Sequence, residues 1–197
     1  MFSNLFSICL QCFHSLGLLR HFAIYAYHSL GIDYYDFYSE LLDFCLNDNG
    51  LLGSLFKEIK RKLDGSLEGD WNHSNPVFGN VTWFFEEGLF LEMLYNSNEY
   101  EKIIENFVKP LIKDTDIFNN LRIYQINSVK MPFEDKKEFE CGYDFAEYFR
   151  NISANVDYTL KKENTSYIFK AAKKYEDWPT FAKETVWYGR RKGATLY

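Results

Sequence analysis

Apolar residues recur at intervals of three and four from Phe2 to about Leu63, the spacing of one face of a helix. Leu5, Ile8, Cys9, Cys12, Phe13 and Leu16 form the first stripe, and Gly17 breaks or bends it. Leu18, Phe22, Tyr25 and Ala26 continue the period to Ser29, and Leu30-Gly31 ends it. Asp33 reads as the N-cap of a third helix with Tyr34, Phe37, Tyr38, Leu41, Leu42 and Cys45 on one face. Asn49-Gly50 is a turn signal. A fourth helix from about Leu51 to Leu63 turns Leu52, Leu55, Phe56, Ile59 and Leu63 inward and Lys57, Lys60, Arg61 and Lys62 outward. Cations near a helix C-terminus account for that basic cluster.

Residues 64–82 are rich in turn formers yet carry Trp71 and Phe78, which predicts an ordered loop. A helix is expected to open near Thr82, with Glu86 and Glu87 in its first turn, and to run to about Tyr95. Asn98 followed by Glu101 suggests a capping box for the next helix, through Ile103, Ile104, Phe107 and Val108. After about Asp114 the period changes. Alternation at 121–126 and 138–143, and a strand pair across 156–171 turning at Glu163-Asn164, predict short strands confined to this half. Asp144 is positioned to cap the segment F-A-E-Y-F-R-N. Asp177-Trp178-Pro179-Thr180 reads as the start of a last helix, ending near Arg190-Arg191-Lys192-Gly193. That helix offers Phe181, Val186 and Trp187 to cover the 156–171 strands. The fold class expected is mainly α, of α+β type: an N-terminal helical bundle (1–114), then a small antiparallel sheet and a C-terminal helix (115–197). The second part packs on the first as a small domain or as part of one domain. Residues 194–197 begin another extended segment that stops at once, as expected of a fragment of a longer chain.

Composition narrows the function classes. With 19 Phe, 15 Tyr and 4 Trp the chain is too aromatic to be intrinsically disordered. Its net charge of −6 argues against nucleic-acid binding and against adhesion to an anionic membrane. No run of about 18 apolar residues predicts a transmembrane helix. The first residues lack the positive start of a secretory signal. A cytoplasmic protein with reduced thiols is expected. The sequons at Asn72, Asn80, Asn151 and Asn164 then read as accidents of an asparagine-rich composition.

No motif predicts independent catalysis. His14, His21 and His28 are spaced by seven, but seven helical residues rise about 10.5 Å while a zinc–imidazole bond is about 2 Å. Cys9-Leu10-Gln11-Cys12 is a lone pair, with Cys45 and Cys141 isolated, and reads as small apolar side chains in a helix core. Glu86 and Glu87 point about 100° apart on a helix and do not converge on one atom. Arg190, Arg191 and Lys192 suit either an anion clamp or a helix C-terminus capped by Gly193. No P-loop, Rossmann fingerprint or catalytic-serine elbow is present. No catalytic or metal-ligating residue is therefore assigned.

Two stretches resemble a known family. W-N-H-S-N-P-V-F-G-N-V-T-W-F-F-E-E-G (71–88) and F-E-C-G-Y-D-F-A-E-Y-F (139–149), the latter followed by L-K-K at 160–162, resemble the domain after the catalytic barrel in cobalamin-binding radical S-adenosylmethionine proteins. L-G-L-L-R-H-F and Y-Y-D-F-Y-S-E-L-L-D-F fit its helical region more loosely. The chain departs from the whole enzyme, since the C-x-x-x-C-x-x-C cluster loop and the cobalamin module are absent from it. The resemblance implies a C-terminal accessory or interaction domain that binds no cofactor itself. S-adenosylmethionine, the iron–sulfur cluster and cobalamin belong to a parent enzyme, and a radical enzyme core, in cis or in trans, is the partner. An alternative is a small self-sufficient ligand-binding protein or enzyme. Its pocket would lie at the 70–88 loop, lined by Trp71, Asn72, Phe78, Trp83 and Glu87. Arg190 and Arg191 are further candidates for ligand contact.

Overall fold

The computed structural model describes residues 2–65 and 72–187. The side chain of Trp187 and the expected end of the last helix at 190–193 lie outside the described residues. Helix α1 (Phe2–Leu10) widens into a π-helical turn (Gln11–Ser15). Gly17, at φ +97°, then lets the chain turn, and α2 (Arg20–Leu30) leaves at 93° to α1. Helix α3 (Tyr34–Asn47) is capped as expected, with the Asp33 carboxylate accepting from the Tyr35 amide. Asp48 takes the amides of Gly50 and Gly53 and so starts α4 (Leu51–Asp64).

Helix α5 (Phe85–Tyr95) is the centre of the molecule. Phe85 and every residue from Glu87 to Leu94 are buried, so it is covered on all sides. Two two-residue strands, β1 (Asn72–His73) and β2 (Trp83–Phe84), pair antiparallel just before it. They modify the expectation that strands occur only after residue 115. Asn98 is not a cap: α6 (Ser97–Ile103) starts directly after Asn96, nearly continuous with α5, and ends in a second π turn (Ile104–Val108).

The stretch 121–126 is helix, not strand. It lies within α7 (Thr115–Ser128), whose first amides bond to the Asp114 carboxylate. The buried positions are Phe118, Leu121, Tyr124 and Gln125, a helical spacing that includes one polar residue. Ile123, which made the pattern alternate, faces out. Strand β3 (Lys136–Tyr143) and helix α8 (Phe145–Ser153), capped by Asp144, fall where the pattern put them. The strand pair expected in 156–171 is a single strand, β4 (Lys162–Lys170), which pairs antiparallel with β3. Glu163-Asn164 is not a turn but part of β4, and Asn155, at φ +56°, ends α8 on the way to it. Across the ladder Phe139 faces Tyr167 and Lys136 faces Lys170. A bulge near Gly142 is held by Asn120 of α7, which accepts from the Gly142 amide at 2.6 Å. Asp177 caps α9 (Trp178–Phe181), which continues as a third π turn (Ala182–Trp187).

The molecule is thus mainly α with small antiparallel sheets. One apolar core runs through it. Gln125 of α7 reaches the carbonyl of Gly17 and the amide of His21, and Tyr124 gathers rings from α2, the sheet and α8. Among the described residues no single helix is long and apolar enough to cross a membrane. The apolar faces of α1 and α2 are buried within the fold.

Candidate functional site

The 72–88 segment is built into the core. Phe78 is fully buried, with its ring edge-on to Tyr95 and Trp178. Trp83 is 1% exposed. Asn72 pairs with Phe84, and its carbonyl accepts from the Lys62 ammonium at 2.7 Å. Glu87 is buried on the first turn of α5 while Glu86 is partly exposed, so the two neighbours are divided between environments. Trp71, Arg190 and Arg191 lie outside the described residues. The cavity beside this segment, between Leu55, Lys62, His73 and Phe85, measures about 10 Å³, the size of one water.

A polar clamp missed in the sequence fixes this segment. Glu92 projects from α5, and its Oε1 meets His73 Nε2 at 2.9 Å and accepts from Asn75 Nδ2 at 2.7 Å. Asn96 Nδ2 donates to Oε2 at 3.3 Å. Burial by itself would raise the Glu92 pKa, but these hydrogen bonds outweigh it and hold the carboxyl below its ordinary value. Gly88 makes the approach possible, because a Cβ there would come within 2.6 Å of the His73 ring. One signal was available: a carboxylate within the apolar run L-F-L-E-M-L must find partners when that helix is buried.

The larger concavity lies elsewhere, as a cleft of about 660 Å³. Its walls are the α1–α2 corner, the end of α7, the loop into β3, the end of β4, and the last π turn. Leu16, Phe90, Tyr124, Val129 and Thr185 are buried and form its floor. Arg20, Glu134, Lys136 and Lys170 are at its rim. His21 stands on one wall, with Nδ1 3.2 Å from the Ser128 hydroxyl. Burial, and secondarily the Arg20 guanidinium, pull its pKa down to about 3, so the imidazole is neutral at physiological pH. The last π turn lines the cleft through Glu184 and Thr185, and such turns are frequent at functional sites.

The remaining candidates are dispersed. His14 bonds through Nδ1 to the Tyr38 hydroxyl at 2.8 Å, and burial lowers its pKa. It sits on the π turn, across the 93° bend from His21, so the seven-residue spacing gathers no shared site. Cys9, Cys12 and Cys45 are fully buried, and burial pushes their thiol pKa values far up. Cys141 lies apart on β3, its pKa raised by burial to about 11. Neutral thiols sunk in an apolar core do not fit an iron–sulfur cluster, which is held by thiolates. Among the described residues no three His, Cys, Asp or Glu side chains converge as metal ligands. No protein-family model matches the chain, and no curated protein matches it.

Proposed function

We propose that this chain is an accessory binding domain of a cobalamin-dependent radical S-adenosylmethionine enzyme, and that it offers the 660 Å³ cleft to a ligand or substrate. The iron–sulfur cluster, S-adenosylmethionine and cobalamin sit on a radical core in cis or in trans, and that core supplies the radical chemistry. The observation that carries the binding role is that cleft. It has the size of a small-molecule site, an apolar floor and a few inward polar groups. The stretches 71–88 and 139–149 support the link to the radical family. In this fold their described residues, 72–88 and 139–149, serve as scaffold. The first clamps a loop onto α5, and the second builds β3, the Asp144 cap and α8.

Co-expression with a radical core from the same genome, followed by size-exclusion chromatography and lysine cross-linking, tests the proposal. A co-eluting complex with cross-links from Lys130, Lys136 or Lys170 is expected. A chain that elutes alone while still binding small molecules is instead a self-contained ligand-binding protein.

A further inference from the structure

We infer that the cleft is a site for an amphipathic anion, a small molecule with an apolar body that ends in a carboxylate or phosphate. The inference rests on the cleft being a ligand site and adds the chemistry of its occupant.

The charge of the cleft is opposite to that of the chain. Arg20, Lys130, Lys136, Lys137 and Lys170 line it against Glu134, Asp135 and Glu184, in a protein of net charge −6. Two of those three carboxylates are already engaged. Glu134 pairs with Lys137 at 3.2 Å, and Glu184 takes Lys173, a residue outside the lining, at 2.9 Å. Glu138, also outside the lining, offsets Lys136 in the same way, so the lining keeps an excess of two cations, five against three, and the field at the mouth is positive.

The β3–β4 ladder sharpens this. Lys136 and Lys170 are direct cross-strand partners at the mouth, both exposed. Like charges directly opposite one another destabilise a strand pair. Glu138 pairs with Lys136 from along the same strand and offsets part of that cost. Both lysines stand on the solvent face of the ladder, where an anion at the mouth would offset the rest.

The floor gives an independent observation. Thr185 is 4% exposed, lines the cleft, and its hydroxyl has no hydrogen-bond partner among the described residues. A buried hydroxyl without a partner is costly, and a ligand reaching the floor would satisfy it. The Thr185 hydroxyl and the neutral His21–Ser128 pair suit an uncharged polar group at the inner end. Phe90 and Tyr124 flank the apolar body. Charge outside, hydrogen bonding inside and aromatic surface between them define the ligand class.

Titrating the full chain with matched naphthalene probes tests this, with binding followed by calorimetry and by amide chemical shifts. 2-Naphthoate should bind with a dissociation constant of about 1 mM or better, the level set by typical ligand efficiency. 2-Naphthylmethylammonium should bind at least tenfold more weakly. 2-Naphthyl phosphate separates the anion sources: a tighter fit than the carboxylate assigns the site to phosphates, and a looser one to carboxylates. Lys170→Glu pairs with Lys136, so the sheet is kept, and it should weaken 2-naphthoate about tenfold. 6-Hydroxy-2-naphthoate should gain about threefold over 2-naphthoate in the native chain and nothing in Thr185→Val. Melting curves confirm that both variants are folded. No binding by 10 mM, equal affinity for anion and ammonium, or an unchanged affinity in Lys170→Glu overturns the inference. Failure to co-elute with a radical core leaves this result untouched, so the two proposals fail separately.

Discussion

Replacing Glu92 with Gln keeps the shape of the side chain and removes its charge. Two of the bonds at risk are short, from His73 at 2.9 Å and from Asn75 at 2.7 Å, and the acceptor is only 6% exposed. A hydrogen bond to a charged group contributes roughly 1 kcal/mol more than a neutral one. Two such bonds give a loss of about 2 kcal/mol, or about 4–8 °C in Tm for a chain of this size. Glu92→Ala also orphans the donors and leaves a hole, and should cost about 3–5 kcal/mol. The charge makes a pH signature. The folded carboxyl is held below its ordinary value, so its contribution is complete above the unfolded pKa of about 4.3 and fades as pH falls through the folded value. Urea unfolding of native chain and Glu92→Gln should give a gap at pH 7 that narrows below pH 4. A gap under about 0.5 kcal/mol at pH 7, or one unchanged at pH 3.5, would refute the charged clamp.

Three further outcomes are expected. Gln125→Leu orphans the Gly17 carbonyl and the His21 amide, which Gln125 meets at 2.8 and 2.9 Å; it should cost about 2 kcal/mol and speed hydrogen exchange at His21. Trp83→Ala should cost roughly 3–5 kcal/mol in denaturant unfolding, and a loss below about 1 kcal/mol would show a peripheral loop. The four cysteines are buried, with their pKa values raised chiefly by burial, so a thiol-disulfide reagent at pH 8 should label them only as fast as the chain opens.

Local signals carried much of the fold. Asp33, Asp144 and Asp177 each announced a helix because a carboxylate next to free amides leaves a mark within three residues. The sequence misled where a long-range partner decided the outcome. Gln125 lies in the stretch 121–126 that reads as an alternating strand, yet it is a fully buried helix residue because the Gly17 corner, far away in sequence, needs its amide. The Glu163-Asn164 pair looked like a turn, but Tyr167 and Phe169 beyond it reach Tyr124, and the strand runs straight through. The cleft was illegible for the same reason. Its lining comes from several separate stretches, and none of them carries a motif alone.

The contact between the α1–α2 corner and α7 also sets a timetable for synthesis. The His21 amide waits for Gln125, 104 residues later, and Ser29 waits for Tyr148, 119 residues later. At ribosomal speeds of about 5–20 residues per second, that gap lasts on the order of 5–20 s. For most of it Phe22 lacks the Phe118 ring that it stacks near in the finished molecule. The part of the α2 surface that α7 and α8 cover is therefore complete only once those helices have been made.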